Sequence, residues 1–331
     1  MIAKSVLPEF AHRYSPKKFT QPQLFVCLVL KIFFKTDYRG IVAILNDSSD
    51  LCKTFDLITV PHFTTLQKAS KRLLKQKPAE KLLIATIKNV IDNNNVELAA
   101  IDSTGLDSSY VSRYFVRRRR SKQYELWEDT IYKRFPKLAV VCDCYNHMIL
   151  SAMTTRGPSV DVNQFCQPVK SAAEQFKIEH LLADAGYDSQ KNHQYAREVH
   201  HIKTTIPARI GRPTLTEKPL RGKYREMMRT GFDKKTYGQR WQVETVFSMI
   251  KRNFGSALRA RRYWSQCREM MLLVLTHNIA IIILVKELFY TAGQEPFSAF
   301  RVRSPSPVLF PARTVLSGVW RRRCYNRLLR R

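Results

Sequence analysis

Val96-Glu97-Leu98-Ala99-Ala100-Ile101-Asp102-Ser103-Thr104-Gly105 is the stretch on which the fold turns. Its run up to Ile101 reads as a strand, and a carboxylate directly after such a run sits at the rim of a sheet. His180-Leu181-Leu182-Ala183-Asp184 repeats the arrangement. Between the two, residues 137–144 and 148–154 are β-rich runs joined as a hairpin at Tyr145-Asn146-His147, and residues 161–176 read as a helix. Residues 189–200 read as another helix and residues 203–207 as a further strand. Strand, hairpin, helix, strand, helix, strand predicts a mixed α/β sheet. Two strand-end aspartates of one sheet can lie side by side, where they repel each other unless a cation intervenes. Mg²⁺ or Mn²⁺ removes that conflict, because hard cations take carboxylate oxygen. Taken singly, either Asp could equally be the cap of a turn or helix.

A third acid is predicted on a helix of residues 236–253, in Tyr237-Gly238-Gln239-Arg240-Trp241-Gln242-Val243-Glu244, which continues to Lys251. At about 100° per residue, with Tyr237 at 0°, Arg240, Glu244 and Lys251 fall near 300°, 340° and 320°. The four side chains share an arc of roughly 60°, while Val243, Val246, Phe247 and Ile250 crowd the adjoining side and are expected to pack on the sheet. One carboxylate flanked by two cations and a phenol suits a metal plus a phosphate. It also fits a solvated stripe with ordinary Arg–Glu pairing.

The chain of 331 residues carries 56 Lys and Arg against 27 Asp and Glu, a formal charge of +29. Such an excess points to a polyanionic partner, nucleic acid above all. Arg113-Tyr114-Phe115-Val116-Arg117-Arg118-Arg119-Arg120 interleaves cations with aromatics between the first strand and the hairpin, a phosphate-binding pattern. Seven scattered cysteines show no zinc spacing and fit a reducing cytosol, and no signal peptide opens the chain. The apolar stretch 271–285 contains His277 and Asn278 and reads as a core helix, so no membrane partner is expected.

Residues 1–95 read as helical. Thr20 and Pro22 are start signals for an apolar helix, and a helix after Pro61 turns Leu66, Ala69 and Leu73 inward and Lys68 and Arg72 outward. The pattern is compatible with helix-turn-helix DNA binding and equally with a small helical bundle. Residues 211–235 form a basic Gly/Pro-containing stretch, and the tail 291–331 holds nine Arg from Arg301 on and no acid after that point, suggesting a segment ordered only on DNA. Asp107, Asp143 and Asp188 are spare carboxylates; Asp188 is expected to cap the helix near Ser189 and Asp143 to stand behind the site. His147, His193, His200 and His201 lack metal spacing.

Asp102, Asp184 and the Y-x2-R-x3-E-x6-K pattern of Tyr237, Arg240, Glu244 and Lys251 resemble the DDE transposases of bacterial and archaeal insertion sequences. The resemblance covers residues 97–285, and the contexts Ile-Asp-Ser-Thr, Ala-Asp-Ala-Gly-Tyr-Asp and Arg-Trp-Gln-Val-Glu-Thr-Val-Phe share in it. It implies an RNase H-like mixed sheet flanked by helices (residues 96–290), with the first Asp on its first strand and the second just after its fourth. It leaves 211–235 as an insertion, 1–95 as a helical DNA-binding domain and 291–331 as an unsupported tail. It further implies that Asp102, Asp184 and Glu244 are the catalytic, metal-holding acids for two Mg²⁺ or Mn²⁺ ions. Tyr237, Arg240 and Lys251 would contact DNA near the cut, with Arg117, Arg118, Arg119, Arg120, Lys68 and Arg72 as further DNA-binding candidates. Trp127 or Trp241 could receive a flipped base, or serve packing alone. The implied activity is cleavage at transposon ends and strand transfer into target DNA. The partners would be double-stranded terminal repeats and target, bound by a homodimer in a prokaryotic cytoplasm at the nucleoid. The rival readings are a non-catalytic DNA binder derived from a transposase and an RNase H-like nuclease that cuts without joining. If the basic run engages phosphate, changing Arg117, Arg118, Arg119 and Arg120 together to Ala will flatten the salt dependence of DNA affinity in binding titrations. An unchanged slope assigns the run to solvent.

Overall fold

The computed structural model describes residues 2–88, 90–91, 94–108, 135–157, 159–209 and 220–291, with side chains up to 284. Arg117, Arg118, Arg119, Arg120, Trp127, residues 211–219 and the tail beyond 291 lie outside the described residues. The elements begin with α1 (Ile2–Val6), α2 (Gln21–Phe33), α3 (Tyr38–Asp47), α4 (Ser49–Thr54), α5 (Phe63–Leu73) and α6 (Gln76–Ile87). Then come β1 (Asn95–Gly105), β2 (Asp107–Ser108), β3 (Phe135–Asp143), β4 (Ile149–Gly157), α7 (Cys166–Ala173), β5 (Lys177–Ala183), α8 (Gln190–Gln194) and β6 (Lys203–Thr205). The last are α9 (Lys223–Thr230), α10 (Lys234–Gly238), α11 (Trp241–Phe254), β7 (Ala257–Leu258) and α12 (Tyr263–Thr291). The chain divides into two compact units. One holds residues 1–92, Ile250–Phe254 and the chain from Leu272; the other holds Asn93–Met249 and Gly255–Met271.

The first unit is helical. α2 starts at a capping box in which Thr20 and Gln23 exchange side-chain and backbone hydrogen bonds, with Pro22 in the first turn where its missing N–H costs nothing. Leu66, Ala69 and Leu73 of α5 are buried as their spacing predicts. Lys68 is exposed, whereas Arg72 turns back and donates from Nε and Nη2 to Gln21 Oε1 (3.2 and 2.8 Å). α12 is long and apolar enough to cross a membrane by length and composition, but most of that stretch is buried within the protein. It buries Thr276, His277 and Asn278, and Asn278 donates to Thr86 Oγ1 (3.0 Å), which donates to Leu83 O (2.6 Å). Polar groups so deep are retained because each finds a partner.

The second unit is built on a five-stranded sheet of order β4-β3-β1-β5-β6. β1 pairs antiparallel with β3 and parallel with β5, β5 pairs parallel with β6, and β3 pairs antiparallel with β4. β3 alone therefore runs against the others, which is the RNase H-like arrangement. Ala99, Ala100, Ile101, Val140, Val141, Leu181 and Leu182 fill its centre at essentially no exposure, as expected of strands covered on both faces. α7 lies on the β3–β4 side, where Ser151 Oγ donates to Pro168 O (2.7 Å). β2 pairs parallel with β7 in a small second sheet.

Three helical expectations are corrected. Residues 161–176 form a 3₁₀ turn (Asp161–Gln164) followed by α7, because a continuous helix would require an N–H from Pro168 to the carbonyl of Gln164. Residues 189–200 are α8 followed by a π-helical turn, Tyr195–Val199. Residues 236–253 are two helices rather than one. Gly238 ends α10, and the joint is made of tight i→i+3 bonds, Arg240 N to Tyr237 O (2.9 Å) and Val243 N to Arg240 O (3.2 Å). The proposed insertion contains α9 and the start of α10.

Asp188 does not cap the following helix; Ser189 takes that position. The Asp188 carboxylate is fully buried and accepts from Arg225 Nε (3.0 Å to each oxygen), Arg225 Nη2 (2.7 Å) and the backbone N–H of Arg209 (2.7 Å). It anchors α9 to the strap between β5 and α8. Asp143 closes the β3–β4 turn, accepting from Tyr145 N (2.8 Å) and Asn146 Nδ2 (2.7 Å), and burial pushes it up to about 6. Asp188→Ala leaves Arg225 without its counter-charge and should cost about 3–5 kcal/mol. Denaturant unfolding will show that loss, and Arg225→Met in the same background should recover part of it.

Candidate active site

β1 runs parallel to β5 with Ile101 opposite Ala183. One residue further along, Asp184 follows the end of β5, whereas β1 runs on to Gly105, so Asp102 lies beside it within its strand and not at the strand end that the sequence predicts. The Asp102 side chain is 23% exposed; its Oδ1 accepts from the backbone N–H of Ser103 (2.7 Å). Burial pushes it up to about 6. The Ser103 N–H and Arg240 oppose that shift, and the charges of Asp161 and Asp184 add to it. Asp184 is exposed and opens the 3₁₀ turn Ala185–Tyr187, its carbonyl accepting from Tyr187 N (2.9 Å).

Arg240 supplies the link to the third acid. Its Nη1 lies 3.9 Å from Asp102 Oδ2 and its Nη2 donates to Glu244 Oε1 (2.8 Å). The joint between α10 and α11 positions it, and Asp184 and Tyr237 also act on its charge. Glu244 is more than half exposed, one turn into α11, whose Val243, Val246 and Phe247 are buried as the pattern predicts. Tyr237 is half-buried, with its ring edge-on to Phe232, and burial holds its phenol above the ordinary range. Gln242, next along, is held by His147 of the β3–β4 turn (2.6 Å).

Three of the sequence-read acids, with Tyr237 and Arg240, thus meet in one region of the sheet unit. Trp241 is half-exposed beside them. Lys251 lies on the part of α11 that groups with the helical unit, as do Lys68 and Arg72. Among the described residues no three His, Cys, Asp or Glu side chains stand as a ready-made metal cage. Glu244 is turned instead to Arg240, a cation at the place where the carboxylates need one.

The sequence reading missed part of the site. Asp161, on the 3₁₀ turn after β4, accepts at Oδ1 from Ser103 Oγ (2.5 Å) and from Lys137 Nζ (2.6 Å). Lys137 is only 9% exposed and also donates to Ser159 O (2.7 Å). The bare α-carbon of Gly186 shows how near Asp161 and Asp184 come. A Cβ there would lie 3.8 Å from Oδ2 of each, so those oxygens can be no more than twice that distance apart. Tyr187, 1% exposed, ends in a hydroxyl without a hydrogen bond; burial first, then Asp102 and Asp161, keeps the phenol far above its usual range. A signal for Asp161 did exist, since it is the sole acid between Asp143 and Glu174.

Residues 97–279 match the family model described as Transposase DDE domain. No curated protein matches the chain. Among solved structures, it is similar to that of the Mos1 strand transfer complex, with 9% identity over 87% of this chain and 82% of that chain and a TM-score of 0.29. It is also similar to that of the Mos1 mariner paired end complex with Mn, with 10% identity, 82% of each chain covered and a TM-score of 0.22. The family match spans more than half of the residues, places Asp102, Asp184 and Glu244 within it, and agrees with the strand order: the chain belongs to the Transposase DDE domain family.

Proposed function

We propose that this transposase cuts DNA at the ends of a transposable element and joins those ends to target DNA, with Asp102, Asp184 and Glu244 as the acidic residues of its active site. The observation that carries the reading is the convergence of Asp102 and Asp184 on one sheet edge, with Arg240 bridging to Glu244. The net charge of +29 supports a DNA partner.

The donor set fits divalent metal: hard carboxylate oxygens stand on one part of the sheet, with Asp102 raised by burial first and by the charges of Asp161 and Asp184 after it. Asp102, Asp184 and Glu244 would hold two Mg²⁺ or Mn²⁺ ions. Bound there, such ions supply positive charge at the scissile phosphate and favour deprotonation of the attacking oxygen.

The chain's own side chains do the rest. Asp184, exposed at the rim, meets the solvent side of the site, and Asp102 below it sets the acid charge. Tyr237 stays protonated and can donate to a phosphodiester oxygen, and Arg240 has guanidinium N–H groups beyond those facing Glu244. In cleavage, a water oxygen bonds to phosphorus while the bond to the 3′-oxygen breaks, leaving a 3′-hydroxyl and a 5′-phosphate. In joining, that hydroxyl oxygen attacks a target phosphate and displaces the target's own 3′-oxygen. Neither step needs a covalent bond to the protein. Lys251, Arg117, Arg118, Arg119, Arg120 and the exposed Lys68 are proposed to hold backbone phosphates, whereas Arg72 is committed to Gln21. A homodimer would present two ends together.

Asp102→Asn, Asp184→Asn and Glu244→Gln should each lower Mg²⁺-dependent nicking of the element's own terminal repeats about 10³-fold or more, the loss expected when a key electrostatic contribution is removed. DNA affinity by gel shift should stay within about threefold, the range in which a single charge change acts. Wild-type nicking by any one variant removes that residue from the site.

A second expectation concerns pH. Asp102 binds its proton more tightly in the folded state, so its ionised form destabilises the fold at pH 7, and that penalty fades as pH falls from about 6 towards the ordinary carboxylate range. Asp102→Asn in metal-free buffer should therefore be more stable than wild type at pH 7, by about 1–3 kcal/mol. Thermal melts should show the gap closing by pH 4; a gap that widens at low pH would contradict the assigned burial.

A further inference from the structure

Asp161 stands outside the three acids that the sequence pattern marks, yet the fold brings it to them. Its Oδ1 is shared by Oγ of Ser103, which directly follows Asp102 on β1, and by Lys137 Nζ on the neighbouring β3. Its Oδ2 accepts no hydrogen bond among the described residues and faces Gly186 together with Asp184 Oδ2. Both of these oxygens therefore border the same bare α-carbon.

The placement is enforced. Asn192, buried on α8, donates from Nδ2 to Val162 O (3.0 Å) and to Tyr187 O (2.9 Å), fastening the turn of Asp161 to the turn of Asp184. Gln164 donates to Ser159 Oγ and accepts from Thr155 Oγ1 (3.3 Å), closing the other side of the same turn. Beside this assembly sits Tyr187, whose buried hydroxyl meets no well-formed hydrogen-bond partner among the described residues, with Ser103 its nearby polar side chain and the charges of Asp102, Asp161 and Asp184 acting on it. A buried donor left without an acceptor is costly unless something beside it accepts. Four carboxylates stand here against two cations, Lys137 and Arg240, in a chain that is otherwise strongly basic.

We propose that Asp161 is a fourth acidic residue of the divalent-ion site, acting beside Asp184, and that Lys137 holds it in place and competes with the ion for it. This rests on the reading of Asp102, Asp184 and Glu244 as a metal site. Lys137 is a positioning residue: its ammonium holds Asp161 beside β1 while no ion is bound.

The test is Mn²⁺ binding to the full chain without DNA, read from the electron paramagnetic resonance signal of free Mn²⁺. Asp161→Asn should weaken binding about tenfold or more, the size of effect seen for groups that support a metal site. Lys137→Met should tighten it, because a competing buried cation is gone; a purely structural ion pair would leave affinity unchanged. If Asp161→Asn fails to fold, the double variant Lys137→Met/Asp161→Asn removes the pair together and should bind Mn²⁺ more weakly than Lys137→Met alone. If Asp102→Asn weakens Mn²⁺ binding while Asp161→Asn and Lys137→Met do not change it, the role of Asp161 is refuted and the site stands. Absence of saturable binding by wild type, or binding indifferent to Asp102→Asn, overturns both.

Discussion

Parallel pairing of β1 with β5 imposes a condition on everything around it. The pairing that makes the sheet continuous also delivers Asp102 and Asp184 to one edge, half out of water, where their charges oppose each other. No rearrangement of side chains relieves this, because the register is fixed by apolar residues on both strands, Ala99 to Ile101 against Leu181 to Ala183. Relief has to come from outside the sheet. In this structure Arg240 provides it, reaching from the joint between α10 and α11.

That joint explains how one side chain can serve two acids. On a continuous helix Arg240 and Glu244 would lie one turn apart and pair along the surface, an interaction of a few tenths of a kcal/mol. Here the tight turn at Gln239 and Arg240 lets the guanidinium keep Glu244 at 2.8 Å while its other nitrogen approaches Asp102. The local contact is weak in itself; what gives it consequence is that it connects a helix to a sheet edge that cannot lower its own charge.

The sheet and its two aspartates were legible because each apolar run gives way to a carboxylate, which marks the end of β5 at Asp184 but falls inside β1 at Asp102, since that strand continues to Gly105. The buried face of α11 was legible for a similar reason, since Val243, Val246 and Phe247 recur at helical spacing. The break before α11 was not, because a single Gly238 does not interrupt the pattern on either side. Asp161 was hidden by a wrong helix: as the first residue of a continuous segment 161–176 it drew no attention, and only Pro168 hinted at the break. Asp188 was misread in the opposite way. A local capping role was assigned, where its partners are Arg225 and Arg209, remote in sequence and invisible to any local pattern. Lys137 and Tyr187 were likewise beyond reach, since what marks them is burial without ordinary company, a property of packing alone.

The Asn192 amide has a mechanical implication. By gripping Val162 and Tyr187 at once, it turns two loops into a single stiff wall, backed by α8 and the strands. Any widening or narrowing of the cleft that accompanies substrate entry must then be borne by the opposite side. There the backbone already departs from regular helix at Gln239, and Glu244 still faces solvent. Of the four acids, Glu244 alone stands on that less regular side.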